Sequence, residues 1–463
     1  MQNISSLKPS FDEIKKTEGE DECRAWLTKI YGAEDELAEF VATRLGTGRA
    51  PKYVDFLTGS LNISFRFKFS DGGPDTIIRF PSPGPTATFI RDEKVANEVQ
   101  AMEYLRQNTT IPLPRVYSWG LTAESPQQFG PFIIMDYVEG TLLSTVLQQP
   151  TERDQQDLVL NPSIDNSQLD TIYRQIADYL LQLSRLTFTH IGAISRDGDT
   201  WSVTKGPLTH NMNELAATVA GYPTSLLPTS TFDQAGDYFE SISDEHLAHL
   251  FTQRNLAGDR EIAQARFIAR HGFTRLIDQY LIDDDGPFIP FCDDLQPSNM
   301  LVDPETFQIK AVIDFEFTNA MPAQFTYDPP WWLLLSGPEA WLDRDSMEEF
   351  RDLYEPRMEQ FLQALESVEG TSGGQTLHEP PLSTRMRDSW RSGRFWFNYA
   401  ARKGFAVDAI YWAALHEGGD GIELLSDEAR EQMEPQIERK MQQLREYEED
   451  HAALFFDETS FRF

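Results

Sequence analysis

With 463 residues, 40% of them hydrophobic, the chain is too long for one compact core and too apolar for global disorder. Its formal net charge of -34, from 74 acidic against 40 basic residues, repels phosphate backbones and anionic lipid, so neither nucleic-acid nor membrane partners are expected. Only Cys23 and Cys292 are present and Met1–Lys16 lacks an apolar core, so no disulfide framework or secretory signal is expected and a cytoplasmic setting fits.

In chain order, residues 11–48 read as two short amphipathic helices, with Trp26, Leu27, Ile30 and Tyr31 spaced for one face. From Val54 to Phe80 the period changes to two, through Phe56-Leu57, Ile63–Phe69 and Thr76–Phe80, with Gly59 and Asp71-Gly72-Gly73 as turns. A helix is expected over Lys94–Gln107, with Val95, Val99, Met102 and Leu105 on one stripe, and strands near Tyr117–Gly120 and Phe132–Val138. Helices follow over Leu169–Leu186 and Ala263–Leu281, and residues 190–260 read as irregular. Phe288–Phe317 reads as two short strands around a turn, and Gln432–Asp450 as a terminal helix. The run Trp331–Leu335 is too short to cross a bilayer. Strands followed by helices predict an α+β fold of two lobes: a helical extension over 1–50, a β-rich small lobe over 51–137, and a large helical lobe over 138–463.

The densest chemistry lies in Asp293-Asp294-Leu295-Gln296-Pro297-Ser298-Asn299, followed by Val312-Ile313-Asp314-Phe315-Glu316. Phosphoryl transfer needs an acceptor for the substrate hydroxyl proton and oxygen ligands for magnesium, rigidly placed. In the catalytic loop of protein kinases the Asp precedes the Asn by five positions. That spacing selects Asp294 over Asp293 as the base, with Asn299 and Asp314 as magnesium ligands. The alternative is an ordinary acidic turn.

The small lobe supplies matching parts. Gly59-Ser60-Leu61-Asn62 lies between two strands, where a small residue lets backbone N–H groups approach phosphate. Arg79 ends the third strand, at the position of the phosphate-holding Lys of kinases, and Glu98 occupies the place of its ion-pair partner. Met135, Asp136 and Val138 fall in a hinge-like segment whose apolar side chains and backbone groups suit an adenine.

Together these segments resemble the aminoglycoside phosphotransferase family of small-molecule kinases, which implies a protein-kinase-like two-lobed fold, and the long insertion, Asp328-Pro329-Pro330-Trp331-Trp332 and the aromatic run from Ser389 to Trp412 resemble a fungal branch of it. The resemblance implies ATP and Mg2+ as cofactors and transfer of the γ-phosphate to a hydroxyl of a small molecule. It also implies an acceptor site in the helical lobe, where Glu316, Asp328 and Trp331 are candidates for holding a cationic or hydroxylated substrate. The aromatic run from Trp390 to Trp412 reads as core packing, with a ligand-stacking wall as the alternative. Where the family carries His and Gly at the head of the loop, this chain has Cys292 and Asp293, and Arg79 replaces Lys. Those departures keep a second reading open, a pseudokinase that acts as a nucleotide-binding or interaction protein. A protein kinase is disfavoured because no Ala-Pro-Glu follows Asp314.

Overall fold

The period-two segments form an antiparallel sheet of five strands, β1 (Lys52–Thr58), β2 (Asn62–Lys68), β3 (Thr76–Pro81), β4 (Val116–Gly120) and β5 (Phe132–Asp136), in the order β1-β2-β3-β5-β4. This is a computed structural model that describes residues 7–70, 72–150, 158–342, 347–371 and 380–459; Asp71 and residues 1–6 of the expected extension lie outside the described residues. The pleat sorts β5 between two layers. Phe132 and Ile134 face helices α1 (Glu13–Ile30) and α2 (Glu34–Leu45), whereas Ile133 and Met135 share a core with α3 (Arg91–Asn108) and the helical lobe.

Helices α1 and α2, within residues 1–50, therefore pack as a layer on the sheet of the small lobe. Trp26, Ile30, Leu37 and Val41 pack on Ile63, Phe65 and Phe67, and the Trp26 indole donates to the Phe129 carbonyl at 2.7 Å. The beginning of this segment belongs to the other lobe. Leu7 is buried in the helical core, Arg266 donates to the Lys8 carbonyl at 2.9 Å, and the Glu13 amide donates to the Tyr447 hydroxyl at 3.0 Å. Helix α1 thus runs from one lobe to the other. Midway it meets the loop after β3 so closely that a Cβ on Gly84, where φ is +90°, would lie 2.0 Å from the Gly19 carbonyl oxygen.

The large lobe begins at β6 (Thr141–Leu142) and continues through α4 (Leu143–Leu147) and α5 (Asn166–Leu183). The stretch 190–260, expected to be irregular, is ordered instead. It holds the hairpin β7 (Ala193–Asp197) and β8 (Thr200–Lys205), then α6 (His210–Thr218) and α7 (Ala235–Thr252). Helix α8 (Arg260–Tyr280) follows, capped by Asp259, whose carboxylate accepts from the Ile262 amide at 2.8 Å.

The expected pair of strands over 288–317 is three strands divided between two sheets, with a further strand just beyond. β9 (Phe288–Phe291) pairs with β12 (Asn319–Pro322), and β10 (Met300–Val302) pairs with β11 (Ile309–Val312) and β6. The rest is helical: α9 (Ala323–Thr326), α10 (Pro338–Leu342), α11 (Met347–Thr371), α12 (Leu382–Ser392), α13 (Arg394–Arg402), α14 (Val407–Ile410) and α15 (Asp427–Thr459). Phe395, Trp396, Phe397, Tyr399 and Tyr411 are buried, so the aromatic run is core. Among the described residues no helix is long and apolar enough to cross a membrane. An antiparallel small lobe, a short connection and a helical large lobe make this the kinase-like fold.

Candidate active site

The loop between β9 and β10 is built from its own backbone. The Gln296 amide donates to the Asp294 carbonyl at 2.8 Å, and the Asn299 amide donates to the Gln296 carbonyl at 2.9 Å. The Asn299 side-chain nitrogen donates to the Asp294 carbonyl at 3.0 Å, which turns its Oδ1 away from that bond and leaves it as a metal-type donor. The Ile313 amide donates to the Asn299 carbonyl at 2.9 Å and so fixes Asn299 against the strand that ends beside Asp314. Asp314 itself sits at φ +66°, an uncommon conformation for a residue with a Cβ, which indicates that its surroundings hold it there. Cys292 is buried behind both acids, with its Sγ 3.9 Å from the Asp314 carbonyl oxygen, and burial pushes its thiol up. It is a packing residue and not a nucleophile.

The small lobe closes on this loop through two cations. Arg79 on β3 pairs with Glu98 on α3 and, at 3.3 Å, with Asp314 of the other lobe. Lys94, one turn before Glu98 on α3, is buried and pairs with Glu316, while its Nζ donates to the Asn62 Oδ1 at 3.1 Å. Asn62 in turn donates to Glu316 at 2.9 Å. Burial opposes ionisation throughout, but Lys94 and Arg79 hold the Glu316 carboxyl down to about 2. Asp314 goes the other way. Burial and the neighbouring Glu316 charge push its carboxyl well above the ordinary range, despite Arg79. Two cations, Arg79 and Lys94, thus face three carboxylates, Glu98, Asp314 and Glu316.

Gly59, Ser60 and Leu61 form the hairpin between β1 and β2, closed by the Gly59 amide donating to the Asn62 carbonyl at 2.8 Å. A Cβ at Gly59 would touch only that oxygen, at 3.6 Å, so packing within the chain does not demand glycine there. At the hinge, Met135 is buried, Asp136 gives its amide to the Arg115 carbonyl at 3.1 Å, and Tyr137 gives its amide to the Asp75 carbonyl at 2.9 Å. The Asp136 amide is therefore committed to the sheet, and its side chain accepts from Tyr117 and the Arg115 amide at 2.5 and 2.9 Å.

A pocket of about 610 Å³ of empty space opens beside Asp294 and Glu316, walled by His210, Tyr238, Glu245 and Arg402. Of the three residues expected to read substrate, Glu316 lies on this wall. Asp328 does not. It is buried in the helical lobe, where it accepts from Ser389 at 2.5 Å and Asn398 at 2.9 Å and faces Arg402 at 3.6 Å. Trp331 braces the loop, its indole donating to the Asp293 carbonyl at 3.2 Å, and lines a second cavity on the far side. Both brace the loop and lie outside the pocket beside Asp294.

Asp293, passed over as a neighbour of the base, is the hub of the loop. It pairs with Arg402 and, at 2.6 Å, with Lys403, and these two cations hold its carboxyl down to about 2 against its burial. Among the described residues Asp294 has no such close pair. Its burial pushes its carboxyl up, Lys403 pulls it down, and Asp293 pushes it up again. Lys94, Lys403, Arg402, His210 and Glu245 were not legible as site residues because no spacing in the sequence links them to the loop.

The fold and this cleft define a small-molecule-kinase-like protein. The model described as "Phosphotransferase enzyme family" matches residues 56–365, more than half of the chain, and the chain belongs to that family. It is 26% identical over 289 residues to "Altered inheritance of mitochondria protein 9, mitochondrial" of Yarrowia lipolytica, covering 55% of this chain and 47% of that protein. The protein of the same name from Saccharomyces cerevisiae is 23% identical over 123 residues, covering 27% of this chain and 18% of the relative. The chain thus spans less than half the length of these relatives. A thermostable mutant of aminoglycoside phosphotransferase APH(4)-Ia, in ternary complex with AMP-PNP and hygromycin B, is 14% identical, with 80% of this chain and 98% of that chain covered and a TM-score of 0.40. APH(3'')-Id of Streptomyces rimosus is 16% identical, with 72% and 98% covered and a TM-score of 0.35. The fold assignment rests on the chain's own lobe topology and on the family match.

Proposed function

We propose that this chain transfers the γ-phosphate of ATP to a hydroxyl of a small molecule. The observation that carries the reading is the charge count in the cleft: Arg79 and Lys94 face Glu98, Asp314 and Glu316, one carboxylate more than the cations can match. Asp314 and the Asn299 Oδ1 would hold a divalent cation, whose charge would answer that excess. When bound, Mg2+ neutralises charge on the transferring phosphoryl group.

The chain's own residues do the rest. Arg79 grips phosphate oxygens as a planar fork, kept in line by Glu98. The Gly59–Leu61 turn covers the phosphates with the backbone amides of Ser60 and Leu61, the Gly59 amide closing the hairpin. Met135 closes over the base, and the Asp136 carbonyl with the Val138 amide reads its edge. Asp294 orients the acceptor hydroxyl and takes its proton as the oxygen bonds to γ-phosphorus and the bond to the β-phosphate oxygen breaks, releasing ADP. The raised carboxyl of Asp294 suits a group that must accept a proton.

The alternative, a nucleotide-binding pseudokinase, is favoured by one observation: Asn62, Lys94 and Glu316 are tied together across the cleft, a contact that holds the lobes shut. Incubation of the full chain with γ-labelled ATP and Mg2+ separates the two. Slow phosphate release that falls by ~10²-fold or more in Asp294→Asn while ATP binding persists supports transfer. Binding with a rate indifferent to Asp294 supports the pseudokinase.

A further inference from the structure

The walls of the pocket beside Asp294 narrow the class of acceptor, on the basis of the phosphotransferase reading above. Asp293 is matched by Lys403 at 2.6 Å and by Arg402, and Glu316 is matched by Lys94. Arg402 cannot swing aside, since its guanidinium lies 5.1 Å from the Phe291 ring, 5.5 Å from Phe325 and 5.6 Å from Tyr399. The remaining wall carboxyl, Glu245, is 3% exposed and accepts from the Asn211 side chain at 3.1 Å. Burial pushes that carboxyl up to about 8, so near neutral pH it carries a proton and can donate as well as accept. Tyr238, Ile242 and Glu245 are spaced i, i+4, i+7, one face of α7, so an aromatic ring and an apolar side chain share the wall with this neutral acid.

A cation entering the pocket would lose its hydration and meet Arg402 as a like charge, while Arg402 and the nearby Lys403 already balance Asp293 and Asp294, so no carboxylate is left over to hold it. An anion would meet Asp294 and the phosphate being transferred. We infer that the acceptor is an uncharged hydroxyl compound with an apolar or aromatic body, its reacting hydroxyl at Asp294 and its polar edge read by Glu245, Asn211 and His210.

The test is calorimetric titration of the full chain loaded with Mg2+ and AMP-PNP, against uncharged aryl glycosides, aminoglycosides and sugar acids. AMP-PNP binding is measured first; its failure would strike the phosphotransferase reading, independently of any acceptor. The expected result is that the best uncharged glycoside binds at least ~10-fold tighter than the best aminoglycoside, with a Kd that moves less than ~2-fold between about 50 and 500 mM salt. Glu245→Ala should weaken that binding by ~10-fold, and Glu245→Gln should restore it to within ~3-fold, because an amide still donates and accepts where a cation-reading carboxylate cannot be replaced. Lys403→Met, which unmatches Asp293, should raise aminoglycoside affinity by ~5-fold or more. An aminoglycoside that outbinds every glycoside, or a glycoside panel silent throughout, overturns the inference.

Discussion

Two buried ionic clusters in this molecule use the same chemistry for opposite ends. At the base of the helical lobe, Asp408 on α14 accepts from Arg266 at 2.5 Å and from Arg270 at 2.9 and 3.0 Å, all three inside one lobe. Both cations outweigh the burial of the carboxyl and hold it below its ordinary range. In the cleft, Arg79, Lys94, Glu98, Asp314 and Glu316 come from two lobes, and the carboxylates outnumber the cations. There the carboxyl of Asp314 is pushed up instead. A perturbed ionisation by itself therefore does not distinguish the two clusters; an unmatched charge shared between two lobes does.

The largest expected effect breaks the comparison on the cleft side. Asp314→Ala should abolish Mg2+-dependent phosphate release, a fall of ~10³-fold or more in a single-turnover assay, while the melting temperature is kept, because the group removed is held against its own ionisation. Asp408→Asn should do the reverse. It leaves two buried guanidinium groups short of charge and should cost roughly 3–5 kcal/mol in denaturant unfolding, with the turnover of whatever remains folded unchanged. A third substitution sharpens the clamp. Arg79→Met should raise the KM for ATP by ~10-fold or more, and Arg79→Lys should recover only part of that, since an ammonium cannot span Glu98 and phosphate as a planar fork does.

The smallest effect concerns Asp328, which burial pushes from 3.8 up to about 7 against the pull of Arg402. In the window between those two values the folded state holds a proton that the unfolded chain has released. Stability should therefore fall as pH rises through it and level off above about pH 7. Asp328→Asn should flatten that slope in unfolding midpoints measured from pH 4 to pH 8, without altering acceptor binding; an unchanged slope would show that the carboxyl is ionised in the fold.

What could be read in advance follows from how local each signal is. The alternation of Ile63, Phe65 and Phe67, the stripe of Val95, Val99, Met102 and Leu105, and the five-residue step from Asp294 to Asn299 all lie within one element or one turn, and each was legible. Helix α7 was not, because Glu245, His246 and His249 are buried among its apolar positions and interrupt the stripe a helix face normally shows. Those interruptions belong to the pocket and to the packing beneath it. Lys94 was missed for a related reason: a lysine in the first turns of an acidic helix reads as a solvated charge, and only the arrival of Glu316 from the other lobe makes it a buried partner. The surroundings of Asp328 and Trp331 were not legible either. Acid and indole soon after Asp314 resemble ligand chemistry, and their partners Ser389, Asn398 and the Asp293 carbonyl are internal and invisible to spacing.

The cleft is one cation short, and under the proposed function Asp314 and Asn299 supply that site together with a nucleotide. Titration of the full chain with Mn2+ in place of Mg2+, followed by electron paramagnetic resonance with and without ATP, tests it most directly. The predicted result is Mn2+ that binds tightly only when ATP is present and is released in Asp314→Ala and weakened in Asn299→Ala. Mn2+ bound equally well by Asp314→Ala, or no tighter with ATP than without it, would contradict the claim.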